Sequence, residues 1–210
     1  MGLTVGVDLG GTFVKVALQD DDHTVAMGRA ALSSVPKPYT PAAVADLIVS
    51  LAGSLLLRES LTWQDCHGIG LAAPGQVKDG VLVTPVNLEG WSNVPFRKLV
   101  QDALPCPKPI ALVNDAEAAG IAECMLGWGR CKDRPTFILI TLGTGVGGSV
   151  VVEGHTWRGS RGLIEIGHMV MGPIGEGPQC LCGQRGCLEV VSSATGVIAG
   201  YNSKRKADSK

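Results

Sequence analysis

One histidine and three cysteines sit close together in Glu165-Ile166-Gly167-His168 and Cys180-Leu181-Cys182-Gly183-Gln184-Arg185-Gly186-Cys187-Leu188-Glu189. Three thiolates and an imidazole form a closed tetrahedral zinc set, so His168, Cys180, Cys182 and Cys187 are the candidate metal ligands. Gly183 and Gly186 would let the loop fold back on itself. Cys180 and Cys182 are too close in sequence for an unstrained disulfide with each other; free or oxidised thiols are the alternative to zinc. A zinc-bound imidazole keeps one nitrogen as an N–H donor, so His168 could present that donor to a ligand hydroxyl. Glu165 and Glu189 could accept from other hydroxyls, although solvated surface carboxylates are the commoner fate of glutamate.

Two further segments suit phosphate. Asp8-Leu9-Gly10-Gly11-Thr12 and Leu142-Gly143-Thr144-Gly145-Val146-Gly147-Gly148 each place a Gly/Thr turn between apolar strands. Backbone amides without side chains can close on phosphate oxygens, and the Thr hydroxyl adds a donor. A carboxylate at Asp8, beside bound phosphates, would meet Mg2+ directly or through water. Either loop alone is equally well read as an ordinary hairpin turn; the pair together favours the phosphate reading. Neither matches the Gly-x-x-x-x-Gly-Lys-Ser/Thr loop of other nucleotide-binding folds.

Asn114-Asp115 follows a short apolar strand and opens a helical pattern. Ligands of α/β proteins gather at the carboxyl ends of strands. There Asp115 could take a proton from an attacking hydroxyl and Asn114 could hold a ligand hydroxyl. From the dipeptide alone, Asp115 reads better as a helix N-cap.

These residues need a scaffold. Alternation and β-branching predict strands at Leu3–Val7 and Phe13–Leu18, a third at Val25–Leu32, and others at Gly68–Ala72, Ile110–Val113, Ile138–Thr141 and Ser149–Val152. Thr40-Pro41 predicts a cap and first turn for a helix through Leu55, and Phe96–Leu104 and Asn114 to Leu126 are also expected to be helical. Asp79-Gly80 predicts a tight hairpin turn. Gly127–Pro135 is the expected hinge, dividing an N-terminal lobe, 1–126, from a second lobe, 127–210. The similarity of the two Gly/Thr hairpins supports two related lobes. The polar, basic tail from Asn202 is expected to fray.

Composition narrows the functions. The 210 residues are 45% hydrophobic, 18% charged and 4% aromatic, with a formal net charge of −1. No basic field recommends nucleic acid, few aromatics are available to stack on bases, and no stretch is expected to reach the length of a membrane span. The N-terminus shows no basic n-region or cleavage site, and clustered cysteines without an export signal favour metal over disulfides. A cytoplasmic protein is expected.

Taken in order, Asp8-Leu9-Gly10-Gly11-Thr12, Ala73-Pro74-Gly75, Asn87-Leu88-Glu89-Gly90-Trp91, Asn114-Asp115-Ala116, Leu142–Gly148 and Glu165–Glu189 resemble the ROK family (repressor, open reading frame, kinase), and its glucokinase-type sugar kinases in particular. The resemblance implies an α/β, actin-like ATPase (ribonuclease H-like) two-lobed fold with sugar and ATP in the cleft. It implies ATP-dependent phosphorylation of a hexose 6-hydroxyl, glucose preferred, in glycolytic carbohydrate metabolism. Asp115 would be the base; Gly75, Asn87, Asn114, Asp115, Glu165, His168 and Glu189 would line the sugar pocket. Gly10, Gly11 and Thr12 with Gly143, Thr144 and Gly145 would hold the ATP phosphates, with Asp8 near Mg2+ and Zn2+ on the Cys₃His set. Homodimers are common in the family.

Ile164 stands where many members have Gly, and Glu117 where Asn is frequent. Family chains generally continue well past the Ser192-Ser193-Ala194 region, so part of the adenosine pocket and of the second lobe is expected to be missing. Kinases for N-acetylmannosamine, N-acetylglucosamine or fructose are close alternatives, and a non-catalytic sugar-binding fragment is another. The family's repressors carry a DNA-binding domain before the first phosphate loop, which here starts at Asp8.

Overall fold

The computed structural model describes residues 2–20, 29–35, 40–85, 88–130, 133–160 and 164–208, with side chains to Arg205. The chain divides into two compact units, Met1–Ala118 and Ala119–Lys210.

In the first unit, strands β1 (Leu3–Leu9), β2 (Phe13–Asp20), β3 (Ala30–Ser34), β4 (Cys66–Ala73) and β7 (Ile110–Asn114) form one sheet in the order β3-β2-β1-β4-β7. β1 runs parallel to β4 and β4 parallel to β7, while β2 and β3 are antiparallel additions. The carboxyl ends of β1, β4 and β7 therefore share one edge of the sheet. The third strand was expected at Val25–Leu32. Residues 21–28 lie outside the described set, and the strand present is Ala30–Ser34.

Alternation decides which face is covered. Leu3, Val5, Val7 and Leu9 are buried, as are Val14, Val16 and Leu18 on β2 and Ile69, Leu71 and Ala73 on β4. They join the buried side of helix α1 (Pro41–Arg58), namely Val44, Ala45, Ile48, Ala52, Leu55 and Leu56, and Phe96 and Val100 of helix α2 (Phe96–Ala103), in one hydrophobic core. The Thr40 hydroxyl caps α1 by accepting from the Ala43 amide at 3.3 Å, and Pro41 fills the first turn. With 18 residues and a mean hydropathy of 1.5, α1 is long and apolar enough, by length and composition, to cross a membrane. This corrects the expectation that no stretch reaches that length. The apolarity has a use within the unit, since one side of α1 is buried in the core.

A small hairpin, β5 (Gln76–Lys78) and β6 (Val81–Thr84), follows β4. Asp79 and Gly80 turn it with φ of 52° and 85°, both left-handed, as the Asp-Gly pair predicts.

Helix α3 (Asp115–Met125) leaves β7 and carries the chain across the unit boundary. The second unit holds an antiparallel sheet of β8 (Phe137–Leu142), β9 (Val146–Val152) and β10 (His155–Trp157), ordered β10-β9-β8. Beyond it come a single helical turn at Ile166–His168, a cysteine-bearing loop, the short helix α4 (Glu189–Ser192) and helix α5 (Ala194–Asp208). The tail expected to fray is helical to Asp208. Lys, Arg and Ala are good helix formers, and the polarity of the segment reflects its exposure rather than lack of structure.

Candidate active site and metal centre

Sheet register sets the site in the first unit. Asp8 pairs with Ala72, and Ala73 pairs with Asn114, so Asp8 and Asn114 sit at the same sheet edge with one strand between them. Their strands are about 10 Å apart, two strand spacings.

Asn114, not Asp115, caps α3. Its Oδ1 accepts from the Ala116 amide at 2.9 Å and the Glu117 amide at 3.2 Å. Its Nδ2 donates to the Gly75 carbonyl at 3.0 Å. This corrects the sequence reading of Asp115 as the cap. Asp115 occupies the first helical position, with Oδ1 accepting from the Ala116 amide at 2.8 Å, and the Asn114 side chain also hydrogen-bonds to its carboxyl. Part of Asp115 is open to solvent. Even so, burial of its carboxyl pushes the pKa above the ordinary carboxylate range; the Ala116 amide pulls it down and the Asp8 carboxylate pushes it further up.

Gly75 turns the chain after β4 at φ 85°, and a Cβ there would run into the Thr84 carbonyl. Only glycine fits, and the turn presents its carbonyl to Asn114. Asn87 lies outside the described residues.

In the first Gly/Thr loop, the Gly10 amide donates back to the Phe13 carbonyl at 2.9 Å and Thr12 accepts from the Val35 amide. Gly10 thus closes its own hairpin. The amides of Gly11 and Thr12 have no main-chain acceptor among the described residues. Asp8 is paired with Lys15, Nζ to Oδ2 at 2.8 Å. Both groups are well exposed, and the hydrogen bond to Asp8 raises the Lys15 pKa. Sequence reading missed Lys15. A cation breaking the apolar run Phe13-Val14-Lys15-Val16, directly across the hairpin from Asp8, was the available signal.

In the second unit, the ligand atoms of His168, Cys180, Cys182 and Cys187 all lie within 4.8 Å of one another. Cys182 Sγ and Cys187 Sγ are 3.6 Å apart, and Cys180 Sγ is 3.6 Å from His168 Nδ1. A tetrahedron with Zn–S of about 2.3 Å and Zn–N of about 2.0 Å has edges of about 3.5–3.8 Å, so the donor set fits zinc. Gly183, at φ 93°, closes the tight turn in which the Cys180 amide donates to Gln184 O at 2.8 Å. Burial pushes the Cys180 thiol up to about 12, while the Gln184 amide holds Cys182 below the ordinary thiol range. As thiolates, three sulfurs this close would favour a cation among them.

His168 turns Nδ1 to the thiols and Nε2 towards Glu165 Oε2, 4.0 Å away. Glu189 lies between two features. Its Oε1 is 3.2 Å from Cys180 Sγ and 3.5 Å from His168 Nδ1; its Oε2 accepts from the Val146 amide at 3.5 Å, next to the second Gly/Thr loop. The loop closes through the Gly143 amide donating to Gly145 O at 3.0 Å. Within this unit the structure thus brings together the four ligands, Glu165, Glu189 and the loop Gly143-Thr144-Gly145.

Comparison with known proteins gives a consistent pattern. The ROK family matches residues 4–209. The chain is 35% identical to the glucokinase of Thermotoga maritima over 197 residues, 92% of this chain and 58% of the relative. It is 32% identical to the N-acetylmannosamine kinase of Citrobacter koseri, covering 93% of this chain and 63% of the relative. Its fold superposes with a TM-score of 0.79 on the crystal structure of a ROK family glucokinase from Streptomyces griseus in complex with glucose and AMPPNP, at 29% identity, over 98% of this chain and 62% of that one. The chain thus spans about three fifths of the length of the relatives it matches. Its fold is that of the actin-like ATPases, and the chain belongs to the ROK family.

Proposed function

We propose that this chain carries the catalytic base of an ATP-dependent sugar kinase that phosphorylates the 6-hydroxyl of a hexose, with glucose as the substrate. The observation that supports it most is Asp115: a partly exposed carboxylate at the carboxyl ends of the parallel strands β1, β4 and β7, relieved of helix capping by Asn114, with a raised pKa. The glucokinase names of relatives such as that of Thermotoga maritima support the same reading.

In this mechanism the Asp115 carboxylate takes the proton of the sugar hydroxyl as its oxygen bonds to the γ-phosphorus. The bond from that phosphorus to the bridging oxygen breaks, and ADP leaves. General-base help of this kind is worth about 10²–10⁴ in rate; positioning and charge neutralisation supply the rest. In the first unit, Asn114, Gly75 and Asn87 serve the sugar, and Gly11 and Thr12, with Gly10 shaping the turn, offer amides to phosphate. In the second, Gly143, Thr144 and Gly145 form the other phosphate loop, and Glu165, His168 and Glu189 receive hydroxyls. ATP arrives as its Mg2+ complex, for which Asp8 is the carboxylate at hand. His168, Cys180, Cys182 and Cys187 would hold Zn2+, which fixes the tautomer of His168 so that Nε2–H faces outward. Residues 1–126 and 127–210 are read as the two lobes. The need for ATP puts the work in the cytoplasm, and the product feeds glycolytic carbohydrate metabolism.

The Citrobacter koseri relative favours a second reading, in which the sugar is N-acetylmannosamine. Coupled ADP release measured with glucose, N-acetylmannosamine, N-acetylglucosamine and fructose decides between them by the highest kcat/KM. Sugar binding without any sugar-dependent ADP release would overturn the kinase reading in favour of a non-catalytic sugar-binding chain.

A further inference from the structure

The three carbonyls of the second Gly/Thr loop are all occupied. The Ala194 amide donates to Gly143 O at 2.9 Å, the Thr195 hydroxyl donates to Thr144 O at 3.0 Å, and the Gly143 amide donates to Gly145 O at 3.0 Å. A trans peptide is planar, and its C=O and N–H point in opposite directions. Pulling the Gly143 carbonyl towards Ala194 therefore turns the Thr144 amide away from α5. Pulling the Thr144 carbonyl towards Thr195 does the same to the Gly145 amide. Neither amide has a main-chain acceptor among the described residues, whereas the next one, Val146, faces the Glu189 carboxylate. Two successive outward amides make an anion-binding concavity.

The start of α5 is itself secured for this task. Ser193 is buried, and its hydroxyl oxygen accepts from the Gly196 amide at 3.1 Å, while its carbonyl accepts from the Val197 amide at 2.9 Å. Ala194 and Thr195 thus present their donors from a capped helix end, 51 residues along the chain from the loop they hold.

We infer that Thr195 is a positioning residue for the nucleotide: its hydroxyl, with the Ala194 amide, fixes the peptide orientation that exposes the Thr144 and Gly145 amides to a phosphate. This rests on the reading of Gly143-Thr144-Gly145 as a phosphate loop. Ala194 acts through its main chain and no substitution removes it cleanly, so Thr195 is the residue to test.

Thr195→Val keeps the shape and removes the donor; Thr195→Ser keeps the donor. Two readouts separate the parts of the argument. In nucleotide-free protein, the Gly145 amide cross-peak in a 1H–15N spectrum reports whether the Thr144 carbonyl is hydrogen-bonded. It should move in Thr195→Val and stay in Thr195→Ser. By calorimetry, the Kd for Mg2+-AMPPNP should rise about fivefold in Thr195→Val, the loss of one net hydrogen bond, and return to within about twofold in Thr195→Ser. The Kd for glucose should be unchanged in both. A Gly145 peak that stays put in Thr195→Val, or an unchanged nucleotide Kd, overturns the inference. Wild-type protein that binds no AMPPNP at all, with the Gly145 peak still moving, overturns the ATP reading and with it the nucleotide role, while leaving the loop clamp in place.

Discussion

The carboxamide of Asn114 ties the end of β7 to the Gly75 turn after β4, donating to the Gly75 carbonyl at 3.0 Å while its oxygen takes two amides of α3. One neutral side chain thus does the capping that a carboxylate could have done. Asp115, the next residue, is therefore not the cap of α3.

Replacing Asn114 with Ala removes the cap and leaves the Gly75 carbonyl without this donor. A cap of this type is worth about 1 kcal/mol, which for a chain of this size lowers Tm by about 2–4 °C. Asn114→Asp keeps the cap and loses the donor, so its Tm should fall less. Thermal unfolding by circular dichroism checks the ranking; equal losses would mean that capping is not what Asn114 contributes.

Gly75→Ala forces a side chain into a left-handed φ of 85° and against the Thr84 main chain. The cost is about 1–3 kcal/mol of strain, or a displaced turn. Displacement would move the carbonyl that Asn114 holds, so stability and turnover should fall together. A variant with wild-type Tm and kcat would show that the turn tolerates a Cβ.

Several of these features are legible in the sequence because they are local. Thr40-Pro41 announces a capped helix, and Asp79-Gly80 announces a turn with two left-handed residues; both need only neighbouring atoms to work. The Cys₃His set is legible from ligand type and spacing, and its donor atoms do converge. The choice between Asn114 and Asp115 as cap is not legible, since both side chains cap well and the deciding contact, Gly75 O, is 39 residues away. Helix α5 is obscured by Gly196 and Gly200, which weaken the helical pattern. The hold of Thr195 on Thr144 is a long-range contact that leaves no local trace.

The metal prediction is quantitative. Purified protein should carry about one zinc per chain, because four ligand atoms within 4.8 Å form one site. Cys180→Ser or Cys187→Ser should lower zinc retention by at least tenfold under a competing chelator. Zinc removal should also lower Tm, because ligand convergence holds the loop from His168 to Cys187 closed. Elemental analysis showing natively folded, zinc-free protein would remove the metal assignment.

The raised pKa of Asp115 makes two linked predictions with defined signs. As a base, Asp115 must be ionised, so kcat/KM should fall about tenfold per pH unit below its folded pKa, with a midpoint above the ordinary value of about 3.9 for aspartate. Asp115→Asn should cost about 10²–10⁴ in kcat and leave sugar affinity intact. In stability the sign is opposite to that of a salt-bridged aspartate. A carboxyl whose folded pKa lies above its unfolded one favours the folded state most when protonated. That contribution is fully present below the unfolded pKa and is lost as pH rises through the folded pKa. At neutral pH wild type therefore carries a charged, partly desolvated group that Asp115→Asn lacks. The variant should melt higher than wild type at pH 7, and the gap should close as both are acidified towards about pH 4. A gap that stays constant across that range, measured by calorimetric melts of both proteins, would mean that Asp115 titrates as an ordinary surface carboxylate and is not tuned to take a proton.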